Sequence, residues 1–419
     1  MNKKEEIQEY CLNCKIKPCS KNGCPLENNI PEFIHEPNSQ KAFEIISNTT
    51  VLPAICGRIC PHEKQCQGSC IRGIKGEPVQ IGEMESIIGD ESIEKNYEIP
   101  KEIDEQLINK KVAIIGSGPA GLTAGAFLAK KGIHVTIYEK HNEAGGILTH
   151  GIPEFRLNRE IVQNTIEKIK QIGVNIVTNT ELGKDIKLED LQKSYNAVII
   201  AIGANISCKM GIPGENLEGI YGGNELLEKN NHSSYKGKKV AVIGGGNVAM
   251  DSARTIKKLG ADKVYVIYRR SEEQMPAEKK EIQSAKDDGI EFLFQNNITQ
   301  ILGNGKVEKI ECIKTKLIQK EGETRLSPVN IENSNYLIDM DYVVMATGSM
   351  PEQDKIAEFE HNKWGYIQIN DKMETSIKDI YAAGDIAGEK QTVAYAARSG
   401  RNAAEAIIAK FKKENWAKI

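Results

Sequence analysis

No stretch of this sequence approaches the roughly 20 consecutive apolar residues that a membrane-spanning helix requires. The longest, in KVAIIG (111–116) and AVIIAIG (197–203), have strand length and read as buried strands. Neither sign of charge dominates: 55 Lys and Arg stand against 58 Asp and Glu, a formal charge of -3. Nothing global therefore draws the chain onto nucleic acid or an anionic membrane. The opening residues MNKKEEIQEYC carry positive charge with no apolar stretch behind them, which argues against a secretory signal and for a cytoplasmic protein. Low-complexity segments are absent. Cysteine nearly vanishes after position 70, where only Cys208 and Cys312 occur, while the other eight crowd into positions 11, 14, 19, 24, 56, 60, 66 and 70. Disulfides do not persist in a reducing compartment, so that crowding calls for metal ligation.

What is present is enough to build real cores: 419 residues, 40% of them hydrophobic, at about 100–200 residues per domain. Residues 1–100 read as short helices and loops arranged around something inorganic, and 101–109 as a polar linker. From Lys110 a strand, Gly-rich turn, helix and strand occur twice, as KKVAIIGSGPAGLTAGAFLAKKGIHVTIYEK (110–140) and KKVAVIGGGNVAMDSARTIKKLGADKVYVIYRR (238–270). Their first glycines, Gly116 and Gly244, lie 128 residues apart, so these are two similar domains and not a short-period array. Short apolar runs over 290–345 predict a β-rich completion of the second unit, and the tail from Ala394 a helix.

The first turn has the full context of a dinucleotide fingerprint. Gly116 permits the tight turn, Gly118 lets a pyrophosphate approach the backbone, and Gly121 allows close helix–strand packing. Pro119 and Ala120 open the helix whose amides hold the anion. Glu139, followed by Lys140, ends the second strand 18 residues after Gly121 and accepts hydrogen bonds from a ribose. The second turn keeps small residues at Gly244, Gly245, Gly246 and Ala249, with Asn247 and Val248 between, but its second strand ends in Arg269-Arg270. Arginines suit a 2′-phosphate where a carboxylate suits a free hydroxyl, so NADP(H) is expected there and a bound flavin at the first turn. Gly348 joins the cofactor set. Near the C-terminus Gly384-Asp385 follows a strand and tight turn; the aspartate suits a flavin's ribityl chain, and Thr392-Val393 open a helix whose start favours negative charge on the ring. No CxxC lies between the two nucleotide units, so the dithiol relay of a thioredoxin reductase has no residues to run on. Electrons leave the flavin another way.

The spacings Cys11-x2-Cys14-x4-Cys19-x4-Cys24-Pro25 and Cys56-x3-Cys60-Pro61-x4-Cys66-x3-Cys70 bring several thiolates onto small inorganic cores. Zinc competes structurally, while the Cys-Pro pairs and a nearby flavin point to 4Fe-4S ligation. Spacing does not say which cysteine serves which core.

Taken together, CLNCKIKPCSKNGCPLENNIPEFI, ICGRICPHEKQCQGSCIRG, GSGPAG, GGILTHGIPEFRL, GGGNVAMDSA with YRRSEEQMPAEKKE, and YAAGDI resemble, nearly end to end, the small-subunit family of NADPH-dependent glutamate synthase. That family also includes the electron-input module of dihydropyrimidine dehydrogenase and the large subunit of the electron-bifurcating NADH-dependent ferredoxin–NADP reductase. The resemblance implies FAD, NADP(H) and two 4Fe-4S clusters, one held by Cys11, Cys14, Cys19 and Cys70, the other by Cys24, Cys60, Cys66 and Glu85. Cys56 is the rival to Glu85. Four residues separate Cys19 from Cys24 where the family usually has three, so the loop must bulge by one. By the same resemblance Gly145, Gly146, Leu148, Gly151, Ile152, Pro153 and Arg156 form the flavin-facing loop.

The expected chemistry is hydride transfer from NADPH to FAD and release of single electrons to a partner. That partner is a large catalytic subunit, of glutamate synthase or of a dihydropyrimidine dehydrogenase, or else a ferredoxin. No side chain needs to act as catalyst; the EKKE stretch at 278–281 reads as a solvated helix face, with Glu281 able to border the nicotinamide. The expected fold is α/β: two Rossmann-like domains, one inserted in the other, behind an α-helical iron–sulfur domain. Its segments are 1–104 for the clusters, 105–205 and 347–419 for FAD, and 206–346 for NADP(H), with crossings at AIGAN (201–205) and MATGSMPE (345–352).

Overall fold

Two five-stranded parallel sheets, each grown around one Gly-rich turn, organise the chain; the computed structural model describes residues 2–320, 322 and 325–416. The first sheet comprises β1 (Lys111–Ile115), β2 (His134–Tyr138), β3 (Val174–Val177), β4 (Ala197–Ile200) and β16 (Ile380–Ala382), in the order β16-β4-β1-β2-β3. The second repeats the plan with β6 (Ile220–Gly222), β7 (Lys239–Ile243), β8 (Lys263–Tyr268), β9 (Glu291–Phe294) and β14 (Tyr342–Met345), in the order β6-β14-β7-β8-β9. Their strands are short runs of Val, Ile and Ala because helices cover both faces of a parallel sheet. Between β9 and β14 the expected β-rich segment forms antiparallel β10 (Asn296–Leu302), β11 (Lys309–Ile318), β12 (Ser327–Asn330) and β13 (Tyr336–Asp339), with β11 pairing all three others. At the crossings, β5 (Ile206–Ser207) pairs antiparallel with β15 (Ser349–Met350).

The chain divides into two units, one made of Met1–Ala204 and Pro351–Ile419, the other of Asn205–Met350. In the first, α1 (Lys3–Tyr10), α2 (Ile30–His35), α3 (Ser39–Ser47), α4 (Pro53–Ile59) and α5 (Ile81–Glu94) hold the cysteine region, and α6 (Pro119–Lys130) follows the first turn. Then come α7 (Ile147–His150), α8 (Arg159–Gln171), α9 (Leu188–Ser194) and the long α13 (Val393–Lys412). The second unit carries α10 (Gly223–Lys229), α11 (Asn247–Lys258) and α12 (Lys279–Asp287). No helix of the described residues is long and apolar enough to cross a membrane.

The cysteine region is not a separate body. Phe33, Phe43 and Ile55 belong to the same buried cluster as Val112, Leu122 and Ala397. Three buried cations, on α6, α8 and α13, fasten the seam. Lys130 of α6 donates to the Ser47 carbonyl (2.7 Å), Lys168 of α8 to those of Ser92 (2.9 Å) and Tyr97, and Arg401 of α13 to those of Leu26 and Thr49 (both 3.0 Å). Ser47 ends α3 and Ser92 lies in the last turn of α5, so two of the cations meet helix C-termini, where the carbonyls lack intrahelical donors and the dipole favours positive charge.

Candidate functional site

The first turn is shaped by contacts its glycines permit. Gly116 lies at φ +100°, and a Cβ there would stand 2.5 Å from the Ala201 carbonyl at the end of β4; at Gly121 it would stand 2.0 Å from the Gly116 oxygen. Gly118 differs. Its φ of -69° suits any residue, and a Cβ would meet nothing within 4 Å. Its hydrogen faces open space at the start of α6, where amides converge, which fits an approaching pyrophosphate. Gly146, at φ +53°, packs so closely that a Cβ would lie 2.8 Å from the Gly118 Cα. The Gly145 amide donates to Ser117 Oγ (2.9 Å), so the 145–146 loop is bonded to the turn. Leu148 points into the core, Gly151, Ile152, Pro153 and Arg156 are half-buried, and Lys140 is exposed.

Glu139 does more than await a ribose. It is buried, and its carboxylate accepts from the Ser117 amide (3.0 Å), the Ser117 hydroxyl (2.5 Å) and the His141 amide (2.9 Å). With about four lone-pair positions on a carboxylate, one remains for a ligand hydroxyl. Ser117 thus joins the 145–146 loop to the end of β2, a role that was not assigned from sequence.

Asp385 sits in the tight turn after β16, where Gly384 lies against Ala120 of α6: a Cβ on that glycine would stand 2.9 Å from the alanine's. Thr392 caps α13, its side chain accepting from the Tyr395 amide (3.4 Å), and Val393 is buried. Asp385 Oδ1 is buried with no hydrogen-bond partner, and burial, reinforced by Glu389, raises the carboxyl pKa to about 7. An orphaned acceptor beside the turn fits a polyol chain that brings hydroxyl donors. Because the folded pKa lies above the unfolded value of about 3.9, the flavin-free chain loses stability as pH rises from about 4 to about 7. The Asp385→Asn substitution removes that dependence. The stability of the flavin-free variant relative to native is expected to be about 2 kcal/mol more favourable at pH 8 than at pH 5.5, a difference of roughly 2 °C in melting temperature; equal differences at both pH values would refute the assignment.

The second turn copies the first. Gly244, at φ +143°, would put a Cβ 2.1 Å from the Ala346 carbonyl, just as Gly116 meets Ala201, while a Cβ on Gly246 would find only Pro276 at 4.0 Å. Ala249 is fully buried. The Tyr268 ring packs on Gly245 and its hydroxyl donates to the Gln274 carbonyl (2.9 Å). A strap then returns to the turn: the Ala277 amide donates to Gly245 O (3.0 Å) and the Glu278 amide to Asn247 Oδ1 (3.2 Å). At the strand end Arg269 is exposed and Arg270 half-buried, its Nε donating to Leu326 O (3.2 Å). Arg325, from the segment leading into β12, donates to the Tyr268 hydroxyl (3.0 Å) and the Gln274 carbonyl. Three arginines therefore gather where sequence reasoning had two. Gly348 lies in this second unit, beside Cys208.

One expectation is corrected here. Glu278 and Glu281 are buried while Lys279 and Lys280 are exposed, so the 278–281 stretch is not a solvated face. Glu281 is committed to a buried ion pair with Arg254 of α11 (2.8 Å), whose Nε also holds Asp288 (2.8 Å). Its carboxylate joins α12 to α11.

The cysteines fall into two groups. Cys11, Cys14, Cys19 and Cys70 line one cavity, walled by Ile30, Ile34, Val79 and Ile81. The extra residue between Cys19 and Cys24 is absorbed as a π-turn over Cys19–Gly23, in which the Cys24 amide reaches back to the Cys19 carbonyl (2.8 Å). The second group forms where α4 and α5 cross at two glycines: a Cβ on Gly57 would stand 2.4 Å from Ser86 N, and one on Gly89 2.3 Å from Ala54 N. That approach buries Glu85 near Cys56 and Cys60. Burial pushes the Cys24 thiol up to about 12, with Glu85 and Cys56 adding to it. A hydrogen bond to Cys56, then burial and Glu85, raise Cys60, and burial with Cys24 and Glu85 raises Cys66. Glu85 itself rises to about 8 through burial, opposed by a hydrogen bond from Asn28. Glu85 lies within electrostatic reach of all three of these cysteines. So many buried acids crowd together only at a large cost unless a positive core compensates them, and the donor set fits such a core.

The family model described as pyridine nucleotide-disulphide oxidoreductase matches residues 110–400, and that for the dihydropyrimidine dehydrogenase domain II 4Fe-4S cluster matches 2–97. The glutamate synthase [NADPH] small chain of Escherichia coli K12 is 33% identical, across 98% of this chain and 91% of that protein. The NADP(+)-dependent formate dehydrogenase subunit beta of Moorella thermoacetica is 35% identical over 93% of this chain and 59% of its own length. Among solved structures, FprA from Mycobacterium tuberculosis superposes with a TM-score of 0.63 at 19% identity, over 74% of this chain and 87% of that one, a likeness of fold. With its fingerprints inside the first match and its cysteines inside the second, the chain belongs to the pyridine nucleotide-disulphide oxidoreductase family and, within it, to the glutamate synthase small-chain group.

Proposed function

We propose that this chain is the NADPH-oxidising half of a glutamate synthase, delivering electrons to a large catalytic subunit. When bound, FAD accepts hydride from NADPH as an electron pair, and 4Fe-4S groups carry electrons onward one at a time. Gly118, Gly146 and Asp385 would hold the flavin, with Glu139 on its ribose. Gly246 and Asn247 would hold the NADPH pyrophosphate, and Arg269, Arg270 and Arg325 its 2′-phosphate. Cys11, Cys14, Cys19 and Cys70 would ligate one iron–sulfur group, and Cys24, Cys60, Cys66 and Glu85 the second.

The observation that carries this reading is a gradient of burial. Cys60, Cys66 and Glu85 are buried, and Cys24 lies within electrostatic reach of Arg401 on α13. In the first set Cys11, Cys14 and Cys70 are partly exposed and Cys19 is buried, while in the second only Cys24 is partly exposed. Leu12, Ile16 and Ile74, on the same chain segments as Cys11, Cys14 and Cys70, are 48%, 69% and 76% exposed. Exposed apolar side chains near a ligand set support an exit toward a docked protein. The test is anaerobic purification from native cells at endogenous level, with mass-spectrometric identification of stoichiometric partners. A large subunit with amidotransferase and synthase domains is the expected result. A barrel-type flavoprotein would move the chain to dihydropyrimidine reduction, and no partner at all would make it a free-standing NADPH:ferredoxin-type oxidoreductase.

A further inference from the structure

Glu85 is 5% exposed, and its one hydrogen bond among the described residues comes from the amide of Asn28, at 3.2 Å. Asn28, four residues beyond Cys24, is itself 1% exposed. Its Oδ1 accepts from the Thr49 hydroxyl at 2.6 Å, and the Thr49 carbonyl accepts from Arg401 at 3.0 Å. The same guanidinium nitrogen donates to Leu26 O at 3.0 Å, two residues beyond Cys24. The chain of bonds has a fixed sense. An ionised carboxylate only accepts, so Asn28 must turn its NH2 toward Glu85 and its oxygen toward Thr49, which has a proton to give. Arg401, which only donates, fastens the backbone on both sides.

We propose that Asn28, held by Thr49 and Arg401, is the positioning residue for Glu85, and that it raises the reduction potential of the iron–sulfur group held by Cys24, Cys60, Cys66 and Glu85. The inference rests on Glu85 being a ligand of that group. Partners behind a ligand orient it and set its donor strength. A hydrogen bond to the carboxylate withdraws electron density from the metal, and the nearby guanidinium charge acts in the same sense, so both favour the reduced state. A purely structural asparagine would leave the potential unchanged when replaced by a residue of its own size.

The test uses the full-length, anaerobically prepared holoprotein and redox titration followed by electron paramagnetic resonance. Glu85→Ala first identifies the signal that depends on the carboxylate. Asn28→Leu keeps the branching and heavy-atom count and removes the donor; it is expected to retain iron and to lower the midpoint of that signal by a tenfold shift in the reduction equilibrium, 59 mV for one electron, with the other signal unmoved. Thr49→Val should give a smaller shift in the same direction. If Asn28→Leu fails to hold iron, Thr49→Val decides: a selective fall supports the proposal and no shift overturns it. If Glu85→Ala alters neither iron content nor any signal, Glu85 is not a ligand and the underlying reading fails. If Glu85→Ala alters a signal while both outer variants leave its midpoint within twofold, the positioning role alone is overturned.

Discussion

Replacing Gly118 by valine is expected to leave a folded protein that has lost its flavin. The backbone there is extended, at φ -69° and ψ -177°, and a Cβ would meet nothing within 4 Å, so a side chain can start there without backbone strain. The loss of a glycine N-cap costs about 1 kcal/mol or less. Yet the new side chain fills the space into which the pyrophosphate must come, and flavin content should fall below roughly a tenth of native. Circular dichroism and melting temperature are to be compared with deflavinated native chain, since bound ligand itself stabilises. Gly121→Ala is the contrasting case: its Cβ would stand 2.0 Å from the Gly116 oxygen, so the turn must shift and stability should fall together with flavin content. A Gly118→Val protein that binds flavin normally would remove the first turn from the cofactor site.

The second large effect is expected at the arginines. Charge-assisted hydrogen bonds contribute about 1.5–3 kcal/mol each, so the Arg269→Ala, Arg270→Ala double variant should raise KM for NADPH by roughly 100-fold. KM for NADH should change less than about twofold, because NADH brings no phosphate for them to hold. Adding Arg325→Ala should erase the remaining preference. Steady-state oxidation of both nucleotides with an artificial electron acceptor measures this, and parallel losses on the two would exclude 2′-phosphate recognition.

How far each of these residues was legible depended on how far away its partner lies. The strands around Gly116 and Gly244 were readable because the strand–turn–helix pattern is local and a parallel sheet demands short apolar runs. Gly118 and Gly246 were readable for the same reason, and the open space before them agrees with the spacing argument. Glu278 and Glu281 were misread: their charge is visible in the sequence, but the Arg254 that makes burial of Glu281 affordable lies on another helix. Arg325 was missed because the β11–β12 pairing, not any motif, returns it to Tyr268. Arg401 carries no motif in the sequence, and only tertiary packing joins it to Leu26 and Thr49, 375 and 352 residues away. The one-residue excess between Cys19 and Cys24 could be counted in the sequence, but its π-turn form could not.

The split of the first sheet has a consequence for biosynthesis. Its edge strand β16 pairs with β4 through Ile380 and Val198, and Asp385 follows at once. On the ribosome, the Asn205–Met350 unit is continuous in sequence and is complete while the β4 edge still lacks its neighbour. Pairing across so long a span closes late, because loop entropy must be overcome before the contact rewards it. The inserted unit should therefore fold first, and the nascent chain should bind flavin and resist protease over the first unit only after the segment through α13 has left the exit tunnel.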